Sequence, residues 1–253
     1  MNRLLQLSLA SLALAVSGSS AFAQATIDQN KALAGNITPG DAPGFPISIN
    51  HPGHYKLTGN LQVPLGVDGI VINSPGVTLD LNGFSVIAPG YCTLQPNPEM
   101  VMCSGGAASR GITGYGGTVL RNGFVRGFNT AGVELNANSS KGNIVQGVHV
   151  SHISGRAMVL DEGIVIDSHV EWSVRGIKVI EGIVRGTRVA RVGSEFDSEP
   201  AIKASLIENS AVHSSLAPAF AGAVRDSLVG YAKGGVGAIY SLGGNYTIGG
   251  SKF

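Results

Sequence analysis

Residues 164–170 read Ile164-Val-Ile-Asp-Ser-His-Val170, and five further segments of the chain align with them without gaps. They are Val119-Leu-Arg-Asn-Gly-Phe-Val125, Ile144-Val-Gln-Gly-Val-His-Val150, Ile183-Val-Arg-Gly-Thr-Arg-Val189, Leu206-Ile-Glu-Asn-Ser-Ala-Val212 and Ala223-Val-Arg-Asp-Ser-Leu-Val229. The first two positions are apolar, and the seventh is always valine. The fourth is always Asn, Asp or Gly, which tolerate a sharp bend or a left-handed backbone. Each segment therefore predicts two short strands joined by a one-residue bend.

A second set of segments lies between these repeats and carries the period-two pattern of a half-buried strand. Its members are Gly132-Val-Glu-Leu135, Ala157-Met-Val-Leu160, Gly176-Ile-Lys-Val179 and Ala201-Ile-Lys-Ala204. No stretch has the 3.6-residue period of the long helices that an α/β fold needs. Short strands that repeat every 17 to 25 residues are the sequence signature of a β-solenoid. We therefore predict an all-β fold, a single-stranded right-handed parallel β-helix of about seven to nine coils.

The invariant valine gives this prediction its register. In a solenoid each coil buries its apolar side chains only by stacking on its neighbours. We therefore expect one inward-facing column made of Val125, Val150, Val170, Val189, Val212 and Val229. The β-helix is expected to span residues 47–245, between an N-terminal cap in residues 24–46 and a C-terminal tail in residues 246–253.

The N-terminus has the pattern of a secretory signal peptide, which we assign to residues 1–23. Arg3 supplies a positive charge, Leu4 to Val16 are mostly apolar, and Ala21-Phe-Ala23 matches the small-x-small cleavage pattern. No later apolar run is long enough to cross a membrane. The sequence thus predicts a secreted or periplasmic protein with no transmembrane segment. A net charge of +1, with 13% charged residues, gives no reason to expect a nucleic-acid partner.

Two cysteines, Cys92 and Cys103, lie in a Pro- and Gly-rich stretch between Pro89 and Gly106. Export would place them where a disulfide persists, and two thiols with no neighbouring histidine make only half a zinc site. We predict a disulfide between them and no metal site. The closed loop is expected to project from the solenoid.

Alternation along the aligned segments turns the sixth position outward, where it carries His149, His169 and Arg188. Because coils stack about 4.8 Å apart, these three side chains are expected to form a ladder on one face. Glu171 should lie close by, with His152, Trp172 and Arg191 at the rim. Arginines bind carboxylates in a bidentate manner, and Trp172 could offer a ring face to a sugar. An ordinary solvated sheet face would carry the same residues, so both interpretations stay open.

The run Pro75-Gly-Val-Thr-Leu-Asp-Leu-Asn-Gly-Phe-Ser-Val86, after Gly53-His-Tyr-Lys-Leu-Thr58, resembles the opening coils of bacterial secreted right-handed β-helix repeat proteins. These belong to the pectate-lyase-like superfamily, and the resemblance covers roughly residues 47–245. It implies the fold but not one function, since the superfamily holds lyases, hydrolases, epimerases and non-catalytic members. The chain has neither the Asp-Asp pair nor the Gly-His-Gly of hydrolases with this fold.

Two functions follow as expectations, and whether the protein is an enzyme stays open. The first is a non-catalytic exported solenoid that binds a polysaccharide or a cell-surface glycan, without a cofactor. The alternative is a lyase or epimerase acting on uronic-acid polymers, with His169 or Arg188 as base and calcium as a possible cofactor. Both use the same predicted strip, which consists of His149, His169, Glu171, Trp172, Arg185, Arg188 and Arg191.

Overall fold

A computed structural model describes residues 24–96, 99–104, 106–136, 142–193, 199–215, 218–230, 237 and 240–247. Over these residues the fold is all-β, as predicted, and its one helix is α1 (Gln29–Ala34). The predicted signal peptide and most of the predicted C-terminal tail lie outside the described residues. No helix within the described ranges is long and apolar enough to cross a membrane.

The strands, in chain order, have the following bounds. They are β1 (Ala25–Ile27), β2 (Ile47–Ile49), β3 (Gly53–Leu57), β4 (Leu61–Gln62), β5 (Ile70–Ile72), β6 (Val77–Asp80), β7 (Ser85–Ile87), β8 (Tyr91–Pro96), β9 (Glu99–Ser104), β10 (Arg110–Gly114), β11 (Val119–Arg126), β12 (Ala131–Leu135), β13 (Asn143–Ile166), β14 (His169–Arg185), β15 (Arg188–Val192), β16 (Ile202–Glu208), β17 (Ala211–Ser215), β18 (Phe220–Arg225), β19 (Leu228–Val229), β20 (Tyr240–Ser241) and β21 (Tyr246–Thr247).

All of these strands except β8 and β9 belong to one large sheet, and every pairing that defines its register is parallel. The pairings form three ladders. Ladder A joins β2, β5, β10, β12 and parts of β13, β14, β16 and β18. Ladder B joins β1, β3, β6, β11, parts of β13, β14, β16 and β18, and β20. Ladder C joins β4, β7, β11, β13, β14, β15, β17, β19 and β21. This parallel architecture is compatible with a β-helix.

Ladder C confirms the register predicted from the repeat. Val150 pairs with Val125 before it and with Val170 after it, and the column continues through the remaining valines of the seventh position. All six valines are buried in the core. The ladder also extends beyond residue 245, because Tyr246–Thr247 pairs with Leu228–Val229.

The predicted bends are also present. The fourth position of all six segments has a positive φ, between 46° and 62°. Four of these residues are Asn or Asp, which visit the left-handed region more readily than other side chains, and two are Gly. The bend turns the chain from ladder B to ladder C within one residue.

A column of buried hydroxyl groups follows the bends, at the fifth position of the later repeats. The backbone N–H of Ser168 donates to Thr187 Oγ1, that of Thr187 to Ser210 Oγ and that of Ser210 to Ser227 Oγ, at 3.2–3.4 Å. Each hydroxyl in turn donates to the carbonyl two residues before it, as Ser210 does to Glu208 O at 2.8 Å. Buried N–H groups need a partner, and these hydroxyls supply it at each corner.

Side chains cover backbone groups at the N-terminal edge of the sheet. The Gln29 amide accepts the N–H of Gln62 at 2.7 Å and donates to its carbonyl, as a further strand would. Asp41 accepts the N–H of Ser48, and the Thr38 hydroxyl donates to the Ser48 carbonyl. These contacts satisfy edge groups that would otherwise attract another strand.

Candidate functional site

The outward sixth position of ladder C brings His149, His169 and Arg188 onto adjacent rungs, as the repeat alignment predicts. The rings of His149 and His169 stack with centroids 4.5 Å apart and planes at 14°. On the preceding rung Phe124 lies 5.6 Å from His149 in a tilted contact. Arg188 is exposed and has no carboxylate partner in the described part of the chain.

Glu171 connects this ladder to the rim of the strip. Its Oε2 accepts a hydrogen bond from Nη1 of Arg191 at 3.1 Å, and its Oε1 lies 3.3 Å from Nε2 of His149. The second contact has the distance of an ion pair but not the geometry of a hydrogen bond, because the buried Nε2 of His149 has no hydrogen-bond partner. Nε2 of His169 is buried and unpartnered in the same way.

His152, Trp172 and Arg191 form a second column at the corner after ladder C. All three have a left-handed backbone, with φ between 51° and 56°. Bulky residues rarely adopt this region, and such outliers cluster at functional sites. The rings of His152 and Trp172 are parallel with centroids 6.2 Å apart, and Cζ of Arg191 lies 4.9 Å from the Trp172 centroid. Trp172 is half-buried and lies next to both of these neighbours along the ladder.

An open groove of about 460 Å³ lies on the outer face of ladder C. Its lining residues are Asn60, Ser85, Ile87, Phe124, Arg126, His149, Ser151, His152 and Glu171. The small side chains Ser85 and Ser151 lie between larger ones, which leaves room for the depression. Its volume is in the range of small-ligand sites, and seven of its nine lining residues carry polar or charged side chains.

The disulfide between Cys92 and Cys103 is present, as predicted. The two cysteines are directly opposed in the antiparallel hairpin of β8 and β9. The hairpin does not project freely, which corrects the expectation from sequence. The N–H of Cys92 donates to Nδ1 of His152 at 3.0 Å, and the N–H of Val101 donates to the carbonyl of Gly193 at 3.1 Å. These bonds hold the hairpin along the corner column.

Two histidines of the site have lowered pKa values. Burial lowers the pKa of His152 most, and the nearby positive charge of Arg126 lowers it further. Burial is also the largest cause of the lowered pKa of His169, and the neighbouring His149 is the second cause. Both imidazoles are therefore neutral at pH 7, and the neutral form of His152 is the one that can accept the N–H of Cys92.

The structure does not bring Arg185 into the strip. It lies on ladder B, where its guanidinium donates to Oε2 of the buried Glu208 at 2.9 Å, and Arg225 contacts the same carboxylate from the next rung. The carboxyl of Glu208 is buried, which opposes ionisation, but the two arginines hold its pKa below the usual value. Arg185 is thus occupied by an ion pair on a different face.

The groove also contains residues that sequence reasoning did not assign to the site. Asn60 and Ser85 come from the first rungs of ladder C, and Phe124 and Arg126 come from the first aligned repeat. The signal for Phe124 and Arg126 was available, since they occupy outward repeat positions. No cluster of three or more potential metal ligands occurs among the described residues.

Comparison with known proteins leaves the family open. The chain matches no family model, no curated protein and no solved structure. The account of its function therefore rests on its own residues.

Proposed function

We propose that this chain is an exported right-handed parallel β-helix that binds a polysaccharide in the groove on ladder C, without catalysing its cleavage. Within the described residues, ladder C joins nine strand segments. This number fits the expected seven to nine coils if each segment belongs to one coil. Right-handed connection of parallel strands in one sheet is the general rule, which supports the handedness.

The groove carries the proposal, because its lining combines an exposed aromatic ring with hydrogen-bonding groups. Phe124 is 43% exposed, and the rung on one side of it carries the small Ser85 rather than a second ring. That side of the ring is therefore available to the apolar face of a sugar. Asn60, Ser151 and Arg126 supply amide, hydroxyl and guanidinium groups to the sugar hydroxyls.

Export is supported by the signal-peptide pattern in residues 1–23 and by the disulfide of the hairpin. Disulfides persist in the periplasm and outside the cell and are rare in the cytosol. The partner we propose is accordingly an extracellular or periplasmic polysaccharide, or a glycan of the cell surface.

The alternative function, a lyase or epimerase acting on uronic-acid polymers, is favoured by one observation. Among the described residues Arg188 is an exposed cation without a carboxylate partner, and it lies next to His169, whose pKa is lowered by burial, so that the unprotonated imidazole is favoured. Against this, the buried Nε2 of His169 could reach a substrate proton only after its neighbours moved. A catalytic base must come within hydrogen-bond distance of the proton it removes.

The test is to incubate the mature protein with neutral and acidic polysaccharides, with and without calcium, and to measure retention and unsaturated product. We expect retention without product, weakened about tenfold or more by Phe124→Ala, in line with the loss of a central aromatic contact. Ile180→Ala, which changes an exposed apolar side chain on another part of the sheet, should have no effect. Product formation that Arg188→Ala abolishes would replace the proposal by the alternative. If the protein shows no retention and forms no product, both functions are refuted.

A further inference from the structure

We infer that the groove contains an anion subsite formed by Arg126 and His152, so that its ligand is a polysaccharide bearing carboxylate or sulfate groups. The inference rests on the proposed function and specifies the chemical class of ligand at the same groove. The observation behind it is Arg126, which lines the groove and has no carboxylate partner among the described residues.

Most other arginines of the chain form an ion pair with a carboxylate, and Arg126 differs from them in this respect. Six arginines each contact a carboxylate, namely Arg110, Arg121, Arg156, Arg185, Arg191 and Arg225. Among the described residues Arg126 has no such partner, and its neighbours on the ladder are the uncharged Ile87 and Ser151. A guanidinium carries five donors in a planar fork that matches a carboxylate or a sulfate-like oxyanion. Arg126 can therefore receive an external anion without breaking an ion pair.

His152 supplies a second donor because the hairpin fixes its tautomer. Nδ1 accepts the backbone N–H of Cys92, so the neutral ring carries its own proton on Nε2. Unlike the Nε2 atoms of His149 and His169, that of His152 is not a buried atom without a partner. The ring also lines the groove with Arg126. The disulfide-closed hairpin thus orients an N–H donor at the wall of the groove.

The one carboxylate of the groove lining does not oppose an anion strongly. Glu171 contacts the cation of Arg191 through one oxygen and the imidazole of His149 through the other. It also lies two rungs away from Arg126, since Arg126 pairs with Ser151 and Ser151 with Glu171. At about 4.8 Å per rung the two positions are about 10 Å apart along the ladder. His152 lies one rung nearer, and the charge of Glu171 acts on its imidazole. The ion pair with Arg191, rather than distance, therefore offsets the repulsion of an anion by Glu171.

The experiment compares three polymers with the same backbone: dextran, carboxymethyl-dextran and dextran sulfate. Binding of the mature protein is measured at several salt concentrations for the native chain and for Arg126→Gln, Arg126→Lys, His152→Asn and Lys203→Gln. Lys203 is the control, because it is an exposed cation on ladder A and lies outside the groove lining. Asn at position 152 tolerates the left-handed backbone and keeps an acceptor for Cys92.

We expect the native protein to bind one or both anionic dextrans more tightly than dextran. The difference in affinity between carboxymethyl-dextran and dextran sulfate shows whether the subsite prefers a carboxylate or a sulfate. Arg126→Gln should lose this preference by about tenfold or more, the value of a charge-assisted hydrogen bond. Arg126→Lys should restore part of it, since it keeps the charge but not the fork, and His152→Asn should weaken it several-fold with unchanged thermal stability.

Equal binding of all three dextrans, unchanged by Arg126→Gln, would overturn the subsite and leave glycan binding intact. An equal loss in Lys203→Gln and Arg126→Gln would show a diffuse charge effect and would also overturn it. Absence of binding to these dextrans and to all the polysaccharides of the first assay would refute the proposed function itself.

Discussion

Val170 lies at the centre of the valine column, and truncating it tests the stacking that holds the fold together. Its side chain is 0% exposed and lies between Val150 and Val189 on adjacent rungs. Val170→Ala removes two buried methyl groups, which at about 0.8 kcal/mol each amounts to about 1.6 kcal/mol of lost transfer free energy. The rigid neighbouring rungs limit collapse, so a cavity contribution should bring the loss of unfolding free energy to about 2–3 kcal/mol. Val170→Asp should destabilise far more, because it buries an unpaired charge.

The assay is chemical denaturation of the purified mature protein, with Val159→Ala as the matched control. Val159 occupies an outward position on ladder A and pairs with Lys178, so the same truncation there should change the free energy by about 0.5 kcal/mol or less. A change at Val170 no larger than that at Val159 would refute the inward register. A well-folded Val170→Asp variant of native stability would refute it as well.

Three further predictions concern the corner hydroxyls, the histidine stack and the hairpin. Thr187→Val leaves the buried N–H of Ser168 without its acceptor and should lower the free energy of unfolding by about 1–3 kcal/mol. Thr187→Ser keeps the hydroxyl and should lower the free energy of unfolding by less. Equal losses in the two variants would contradict the role of the hydroxyl. Because the pKa of His169 is lowered in the folded protein, the unfolded chain binds a proton there at a higher pH than the folded protein does. Thermal stability should therefore fall as the pH drops below about 6.5, and His169→Gln should make this fall shallower. A steeper or unchanged pH profile would contradict the prediction. Alkylation of the exported protein should label Cys92 and Cys103 only after reduction, and reduction should speed amide exchange at the hairpin; labelled thiols before reduction would exclude the bridge.

The repeat predicts the register of ladder C because buried apolar side chains leave no alternative. A shift of one residue would turn every valine of the column toward solvent. The bends were equally predictable, since Asn122, Asp167 and Gly186 belong to the three residue types that accept a positive φ. The disulfide followed from its short loop and the predicted compartment.

The composition of the candidate site was less predictable, because a single alignment does not say which outward positions share a face. Arg185 and Arg188 are three residues apart, yet the bend at Gly186 places them on different ladders. Pairing with Glu208 from the neighbouring strand of ladder B, rather than any local pattern, then decides the role of Arg185.

Two other features depended on contacts between strands that are distant in sequence. Asn60 and Ser85 precede the long hairpin insertion, so their rungs could not be aligned with the later repeats. Trp172 was expected at the rim of the strip, and its neighbours there, the parallel ring of His152 and the guanidinium of Arg191, come from the adjacent rungs.

The most direct test of the account is hydrogen–deuterium exchange combined with hydroxyl-radical footprinting, with and without a bound polysaccharide. The groove joins segments 60–62, 85–87, 124–126 and 149–152, which are distant in sequence and meet only through ladder C. We predict that the polymer protects these four segments together and leaves Lys178 and Lys203 on ladder A unchanged. Protection confined to ladder A, or to one of the four segments alone, would contradict the groove as the binding site.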